Sequence, residues 1–585
     1  MDDFNDPHVL RARRNRVRPA HGQGTLPHPG TSQLYPGAVA AVYQPVKKQD
    51  HLGVLSLGAL TLNRIIGTGI FTGPQVVLAI TGSKGVTIVL WIICGIIAWA
   101  GVSVYLEYGI RFPLTGGELH YIDYVWKKPK KLMTYLYSIM FITLSGSHGG
   151  ALVFGSAVIT ASTPAGTKID RRLQKLFAIL LVAVVCLFQS ISRLNYIRFS
   201  DGFALYKTCL CSFIILLGMI ALAGKTFAEP APNTPYGVAN LEGSFSDATL
   251  SPYIIAISIL QIMRAYFGYE NVNYILEEVK RGPDKDPHRV YRRAVKISVL
   301  MVTFFYVMIV VSFFAASTTD ELIKSPDMLT LFFQKLFGKS PRARTASGIL
   351  LCMSAAGNVM SATYTNTRVK QEIGREGIIP WPEFWSRSTH MGTPGPSLLL
   401  HWIFSTILII AAPLDDPNGY LIISTLYHYC RTLMGVLLGS ALLAAPWLNS
   451  FAATDDQGNT IKRWTPRGSR VGIVTIWPLA LIYLAANLFV FVVSWFPPNL
   501  ENRLHTNSKI VTSYAGPTTA IIIYVMAAMY WLWDIHILPR LGWHFKKLKE
   551  EIKDDGSIRL RFDRSFEGLC EKLGVERFIS TLKHE

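Results

Sequence analysis

Apolar runs recur from residue 52 to residue 537, separated by short polar, basic or proline-rich stretches. About twelve of them approach the ~20 residues that a helix needs to cross a bilayer. They lie near 52–80, 85–110, 132–160, 173–191, 203–223, 252–279, 295–314, 345–369, 398–412, 420–445, 471–495 and 513–537. Residues 1–50 are polar and rich in proline, glycine and arginine, so they read as a disordered basic tail. The pattern predicts an all-α polytopic membrane protein, with a transmembrane domain over 51–540 and a C-terminal tail over 541–585. In that tail, Phe545-Lys546-Lys547-Leu548-Lys549 reads as a solvated or membrane-surface helix.

Two runs carry their own interruption. In the first, Gly67 and Gly69 flank Thr68, and Gly73-Pro74 follows one turn later, which weakens helix at that point. In hydrocarbon, unwound backbone survives only where protein buries it or where it lines a wet cavity. A broken span therefore implies a site, and the helix restarting near Phe71 directs its positive N-terminus at it, favouring an anion such as a carboxylate. The second interrupted run is 252–279, five spans later. Interruptions at corresponding places in two halves point to an inverted-repeat transporter with its site at the midplane.

Composition narrows the picture. Half of the 585 residues are hydrophobic, 16% are charged and the mean hydropathy is +0.30, which excludes an ordinary soluble protein of this size. The net charge of +19 does not imply nucleic acid, because basic residues gather in the N-terminal tail, the C-terminal region and certain loops. Clusters at 127–131, 280–296, 368–375 and 462–470 place both termini in the cytoplasm, while the basic stretches 168–175 and 335–344 oppose that orientation. Six of seven cysteines fall in apolar runs without metal spacing, so neither a zinc site nor a disulfide framework is read. No cleavable signal precedes Leu52, and no Walker loop suggests ATP drive.

The stretch Asn63-Arg64-Ile65-Ile66-Gly67-Thr68-Gly69-Ile70-Phe71 resembles the first-helix motif of the amino acid–polyamine–organocation superfamily. Further matches are Tyr105-Leu106-Glu107-Tyr108-Gly109, Gly116-Gly117-Glu118, Tyr269-Glu270-Asn271-Val272-Asn273-Tyr274, Ser354-Ala355-Ala356-Gly357-Asn358 and Arg375-Glu376-Gly377-Ile378-Ile379-Pro380. Their order and spacing over roughly 50–540 resemble the L-type amino acid transporter branch, nearest the fungal methionine-permease group. The resemblance implies a LeuT-like fold of five-plus-five inverted repeats with two additional helices. It also implies a clamp for a zwitterion around Gly67. The N–H groups of Thr68 and Gly69 would hold the carboxylate, and the carbonyls of Ile65, Ala265, Tyr266 and Gly268 would face the amine. Helix N-termini suit anions and uncapped C-terminal carbonyls suit ammonium.

Single residues are weighed against plainer roles. Lys207 in the fifth span resembles the lysine that replaces a coupling sodium ion in part of the superfamily, where its ammonium bridges the first and eighth spans. A snorkelling lysine near the membrane face is the plain alternative. Arg264 and His148 depart from the family pattern. Facing the cavity they would favour a more polar or anionic substrate, and facing neighbouring helices they would only pack. Arg64 needs a partner, with Glu270 as one candidate, and Glu107 and Glu118 read as interfacial and structural.

The expectation is therefore a secondary transporter, not an enzyme, importing a neutral, methionine-like amino acid by alternating access with proton coupling. It uses no cofactor and no metal. Partners are the amino acid, the proton, the lipid bilayer and ubiquitin-dependent endocytic machinery, and the location is the plasma membrane. The alternatives are a non-transporting sensor on the same scaffold and a transporter of a more polar or anionic amino acid derivative.

Overall fold

The computed structural model describes residues 39–566 except 44, 45, 47, 165–168, 228–235, 247, 284–285, 326, 390, 414–418, 448–451, 455–459, 464–469, 498–513, 542 and 553–557. The arginine-rich start of the chain and Cys570 lie outside the described residues. Among the described residues, nine helices are long and apolar enough to cross a membrane. The sixth, ninth and tenth spans join them. The sixth is split into Pro252–Tyr266 and a 3-10 helix Asn271–Glu278, the ninth is the 17-residue helix Gly395–Ala411, and the tenth is Gly419–Ala444.

The first span is Val54–Ile65 followed by Gly69–Thr81. Its first half packs between the fifth span, Arg193–Leu222, and the seventh, Arg289–Ala316, while its second half packs on Pro252–Tyr266. The eighth span, Pro341–Arg375, lies along the third, and the tenth lies along the eleventh, Arg470–Val493. The fourth span, Arg171–Ile191, shows how composition selects faces. Ala178, Val182 and Val185 are buried, while Leu176, Leu180, Val184, Leu187 and Ile191 form an exposed stripe at helical spacing suited to lipid. Lys84, at the start of the second span, is buried because its ammonium donates to the carbonyls of Asn240 (2.9 Å), Phe314 (3.2 Å) and Ser317 (2.8 Å), satisfying the end of the seventh span.

Three expectations need correction. The spans are helical, but Val39–Tyr43 forms a strand paired antiparallel with Ile558–Phe562, and Trp543–Ile552 pairs with Ile558–Phe566. Residues 39–43 are thus not disordered, and the C-terminal segment is a hairpin in place of a helix. The cause is visible in the period of two of Ile558-Arg559-Leu560-Arg561-Phe562-Asp563.

The third span, expected to be continuous, stops at Leu144 and restarts at His148. Ser145-Gly146-Ser147 is weak helix-forming sequence, and its freed groups find side-chain partners. Asn366 Nδ2 donates to Ser145 O at 3.1 Å, and Ser147 N donates to Ser405 Oγ at 3.1 Å. Last, the basic cluster 368–375 is not a surface loop. The eighth helix runs on through Arg375 and buries Arg368, Lys370 and Glu372.

Candidate functional site

Both expected breaks are present. Ile66, Gly67 and Thr68 lie outside the two helices, with Ile66 at φ −72° and ψ 85°, and the chain re-enters helix at Gly69. In the sixth span, Phe267 is extended (φ −59°, ψ 135°) and Gly268 has φ +131°, a conformation that favours glycine.

The two breaks meet. A Cβ placed on Gly69 would lie 2.7 Å from Ala265 Cβ and 2.8 Å from its Cα. One placed on Gly268 would lie 2.6 Å from Arg64 Cγ and 2.9 Å from Ile65 Cγ1. One on Gly67 would lie 2.6 Å from Asn358 Nδ2. All three glycines permit close backbone approach, so Ile65, Gly67, Gly69, Ala265 and Gly268 come together at one place.

The chemistry of the junction is mostly main chain. At the start of Gly69–Thr81, Phe71 N donates to Thr68 O at 3.2 Å, and the N–H groups of Gly69 and Ile70 precede the helix's own carbonyls beside the break. On the opposite side, the carbonyls of Ile65 and Ala265 share one donor, the Tyr306 hydroxyl, at 2.6 and 3.1 Å. Tyr306 is buried, with Trp91 at 5.4 Å edge-on and Tyr266 at 5.1 Å. The Tyr266 ring points toward the second span and donates to Trp91 O at 3.2 Å. Asn358 of the eighth span donates to Arg64 O at 2.6 Å and Asn63 O at 3.4 Å. Lys207 is fully buried and donates to Ile66 O (2.5 Å) and Asn63 O (2.9 Å). A Cβ on Gly357 would lie 3.2 Å from Lys207 Cε, so this ammonium touches both the first and the eighth spans.

His148 opens the second half of the third span and is buried, and its Nδ1 has no hydrogen-bond partner among the described residues. Arg264, in the last turn of Pro252–Tyr266, is half-buried.

Glu270, one candidate partner for Arg64, is ion-paired with another cation. That carboxylate lies 3.3 Å from Arg431 of the tenth span, and it accepts from Gly268 N at 3.0 Å. Arg431 also donates to Glu118 (2.5 Å), Tyr274 (2.5 Å) and Tyr105 (3.0 Å). Glu118 is thus fully buried in a network rather than interfacial. The signal was available, since Arg431 is a lone cation in the middle of an apolar run, and such a charge needs internal partners. Tyr306 and Asn358 carried no comparable mark.

At the end of the bundle where the chain enters the first span, Leu52 N donates to Glu278 O at 2.8 Å and Lys280 N to Leu52 O at 2.9 Å. The Glu278 carboxylate is held by Arg193 (2.7 Å), Arg368 (2.8 Å) and the Tyr364 hydroxyl. The entry to the first span and the end of the sixth are latched together through the fifth and eighth.

The family model described as amino acid permease matches residues 52–527. The high-affinity methionine permease of Saccharomyces cerevisiae is 27% identical over 522 residues, covering 89% of this chain and 85% of its own length. The low-affinity methionine permease of the same organism is 24% identical over 517 residues, 87% of each chain. Large neutral amino acids transporter small subunit 2 of Mus musculus is 26% identical over 411 residues, 70% of this chain and 74% of its own. With that match running from the first span into the twelfth over a pair of broken helices in contact, the chain belongs to the amino acid permease family of the amino acid–polyamine–organocation superfamily, as a multi-pass integral membrane protein.

Proposed function

We propose that the chain imports a neutral, methionine-like amino acid across the plasma membrane by alternating access, with both termini in the cytoplasm and proton coupling through Lys207. The observation that carries this reading is the contact of the two breaks at Gly69 and Ala265. It sets helix N–H groups of one span against carbonyls of the other, the two polarities that a zwitterion needs. The relatives named for methionine and large neutral amino acids supply the substrate class. In this reading Tyr306 bridges Ile65 O and Ala265 O, and a substrate ammonium competes with its hydroxyl for those carbonyls.

Lys207 supports the coupling. Its ammonium bonds carbonyls of the first break, so loss of its proton removes two charge-assisted bonds and loosens the break from the fifth span. Arg264 and His148 tune selectivity in the same site. An Arg264→Phe variant that keeps the wild-type preference for neutral over anionic amino acids removes Arg264 from it.

Radiolabelled uptake by the full chain in reconstituted vesicles tests the whole reading, using an amino-acid panel, an imposed pH gradient and sodium controls. Wild type accumulates methionine when the outside is acid. Lys207→Ala accumulates about tenfold less methionine than wild type per unit of imposed pH difference. Full proton dependence in that variant overturns the role of Lys207, and substrate binding without flux in wild type makes the chain a sensor.

A further inference from the structure

Lys370, in the eighth span, is a fully buried amine that the clamp does not use. Among the described residues no carboxylate lies within ion-pair distance of it. Its hydrogen-bond partner is the imidazole of His401 in the ninth span, with Nζ 3.3 Å from Nδ1. The other ring nitrogen, Nε2, lies 2.9 Å from Ser147 Oγ and 3.4 Å from Thr363 Oγ1, and those two hydroxyls are 3.0 Å apart. His401 is also fully buried. Ser147 is the last residue of the break in the third span, followed directly by His148, and a Cβ on Gly150 would lie 3.1 Å from Asn358 Oδ1. Asn358 in turn holds Arg64 O at the first break. A continuous set of polar contacts thus leads from Lys370 to the third-span break, which abuts the clamp.

The ionisable groups that act on this pair are on other spans. They are Cys186 of the fourth span, His148 of the third and Arg64 of the first. On the eighth helix itself Arg368 is engaged by Glu278, and Glu372 by Arg375. None supplies a counter-ion to Lys370. Ionisable groups buried in a membrane domain without a structural counter-ion mark ion or proton pathways.

We propose that Lys370 and His401 form a second proton-binding site, which signals its occupancy to the break in the third span through Ser147. The inference rests on the proton-coupled reading above. Occupancy adds one proton from water to the Lys370 amine; one N–H bond forms and no other bond is made or broken. The ammonium has only donors. It therefore donates to His401 Nδ1, which leaves Nε2–H to donate to Ser147 Oγ. Without that proton, the amine accepts from Nδ1–H, Nε2 becomes the acceptor and Ser147 donates to it. Binding or losing one proton reverses the hydrogen bond at the unwound segment.

The test uses the full chain in vesicles with radiolabelled methionine and a pH difference of one unit. Lys370→Met, Lys370→Arg and His401→Gln are compared with wild type, and methionine-induced thermal stabilisation in detergent reports which variants are folded. Each coupled proton contributes about tenfold in accumulation per pH unit. The expected result is about tenfold less accumulation in all three variants, with methionine still binding. Lys370→Arg carries the distinction, because it keeps the positive charge but does not release a proton. A merely structural cation would be rescued by arginine. Wild-type accumulation in Lys370→Arg, or in His401→Gln, overturns the proposal. If wild type responds to the gradient and Lys207→Ala alone loses the response, this inference falls while the coupling reading stands. If wild type ignores the gradient, both fall.

Discussion

Glu278→Gln releases the latch between the first and sixth spans while keeping the side chain's shape. The carboxylate is 5% exposed and faces two guanidiniums, Arg193 at 2.7 Å and Arg368 at 2.8 Å, so the substitution leaves two buried cations without their anion. Removing one partner of a buried ion pair costs ~3–5 kcal/mol. Glutamine still accepts from Tyr364, which argues for the lower end, about 3 kcal/mol. An energy of that size shifts an opening equilibrium about 150-fold. The main-chain bonds Leu52 N to Glu278 O and Lys280 N to Leu52 O open with it. Hydrogen exchange followed by mass spectrometry should therefore show residues 48–56 and 271–282 exchanging about 150-fold faster, with peptides of the fourth span unchanged as the internal control. On the alternating-access reading proposed above, uptake falls in the same variant because one side no longer stays shut while the other opens. Unchanged exchange in both segments, alongside wild-type uptake, would refute the latch.

Gly69→Ala sets a methyl group 2.8 Å from Ala265 Cα, a backbone atom that cannot rotate away. Transport should fall at least about tenfold at unchanged surface abundance, since a shift of ~1 Å at a positioned site costs up to about a hundredfold; uptake normalised to surface protein checks this. Arg431→Met removes the shared partner of Glu118 and Glu270 and should destabilise the protein by ~3–5 kcal/mol in a detergent melt. Adding Glu118→Gln should recover part of that loss, and strict additivity of the two would contradict the network.

Outside the spans, burial pushes Glu321 up, but the Lys335 ammonium and Thr318 outweigh it and hold the carboxyl below its ordinary value. Its stabilisation is thus present above the unfolded pKa of about 4.3 and is lost as pH falls through the folded one. With a third of the side chain exposed, solvent screening keeps the contribution below about 1 kcal/mol. Melts between pH 5 and 3 should show Glu321→Gln losing slightly less stability than wild type.

Much of this protein could be read along the chain. The spans are legible because bilayer thickness imposes a length on every apolar run. The breaks at Gly67–Gly69 and near Gly268 are legible because glycine weakens helix wherever it stands. The pairing of breaks five spans apart matches the two interruptions observed, and the half-helices before them end at Ile65 and Tyr266.

Other features depend on residues hundreds of positions away. Ser145–Ser147 unwinds because Asn366 and Ser405 satisfy its backbone, and nothing local to the third span announces those partners. Glu270 is paired with Arg431 because the tenth span brings that guanidinium within 3.3 Å of its carboxylate, even though the Arg64 stem also lies against Gly268. Tyr306 is an ordinary aromatic in an apolar run until the fold sets its hydroxyl between two carbonyls. Chain order carries length, period and propensity, which are local quantities. The choice among partners for a buried polar group is made by proximity after packing, where each unsatisfied donor or charge costs more than any local preference can return.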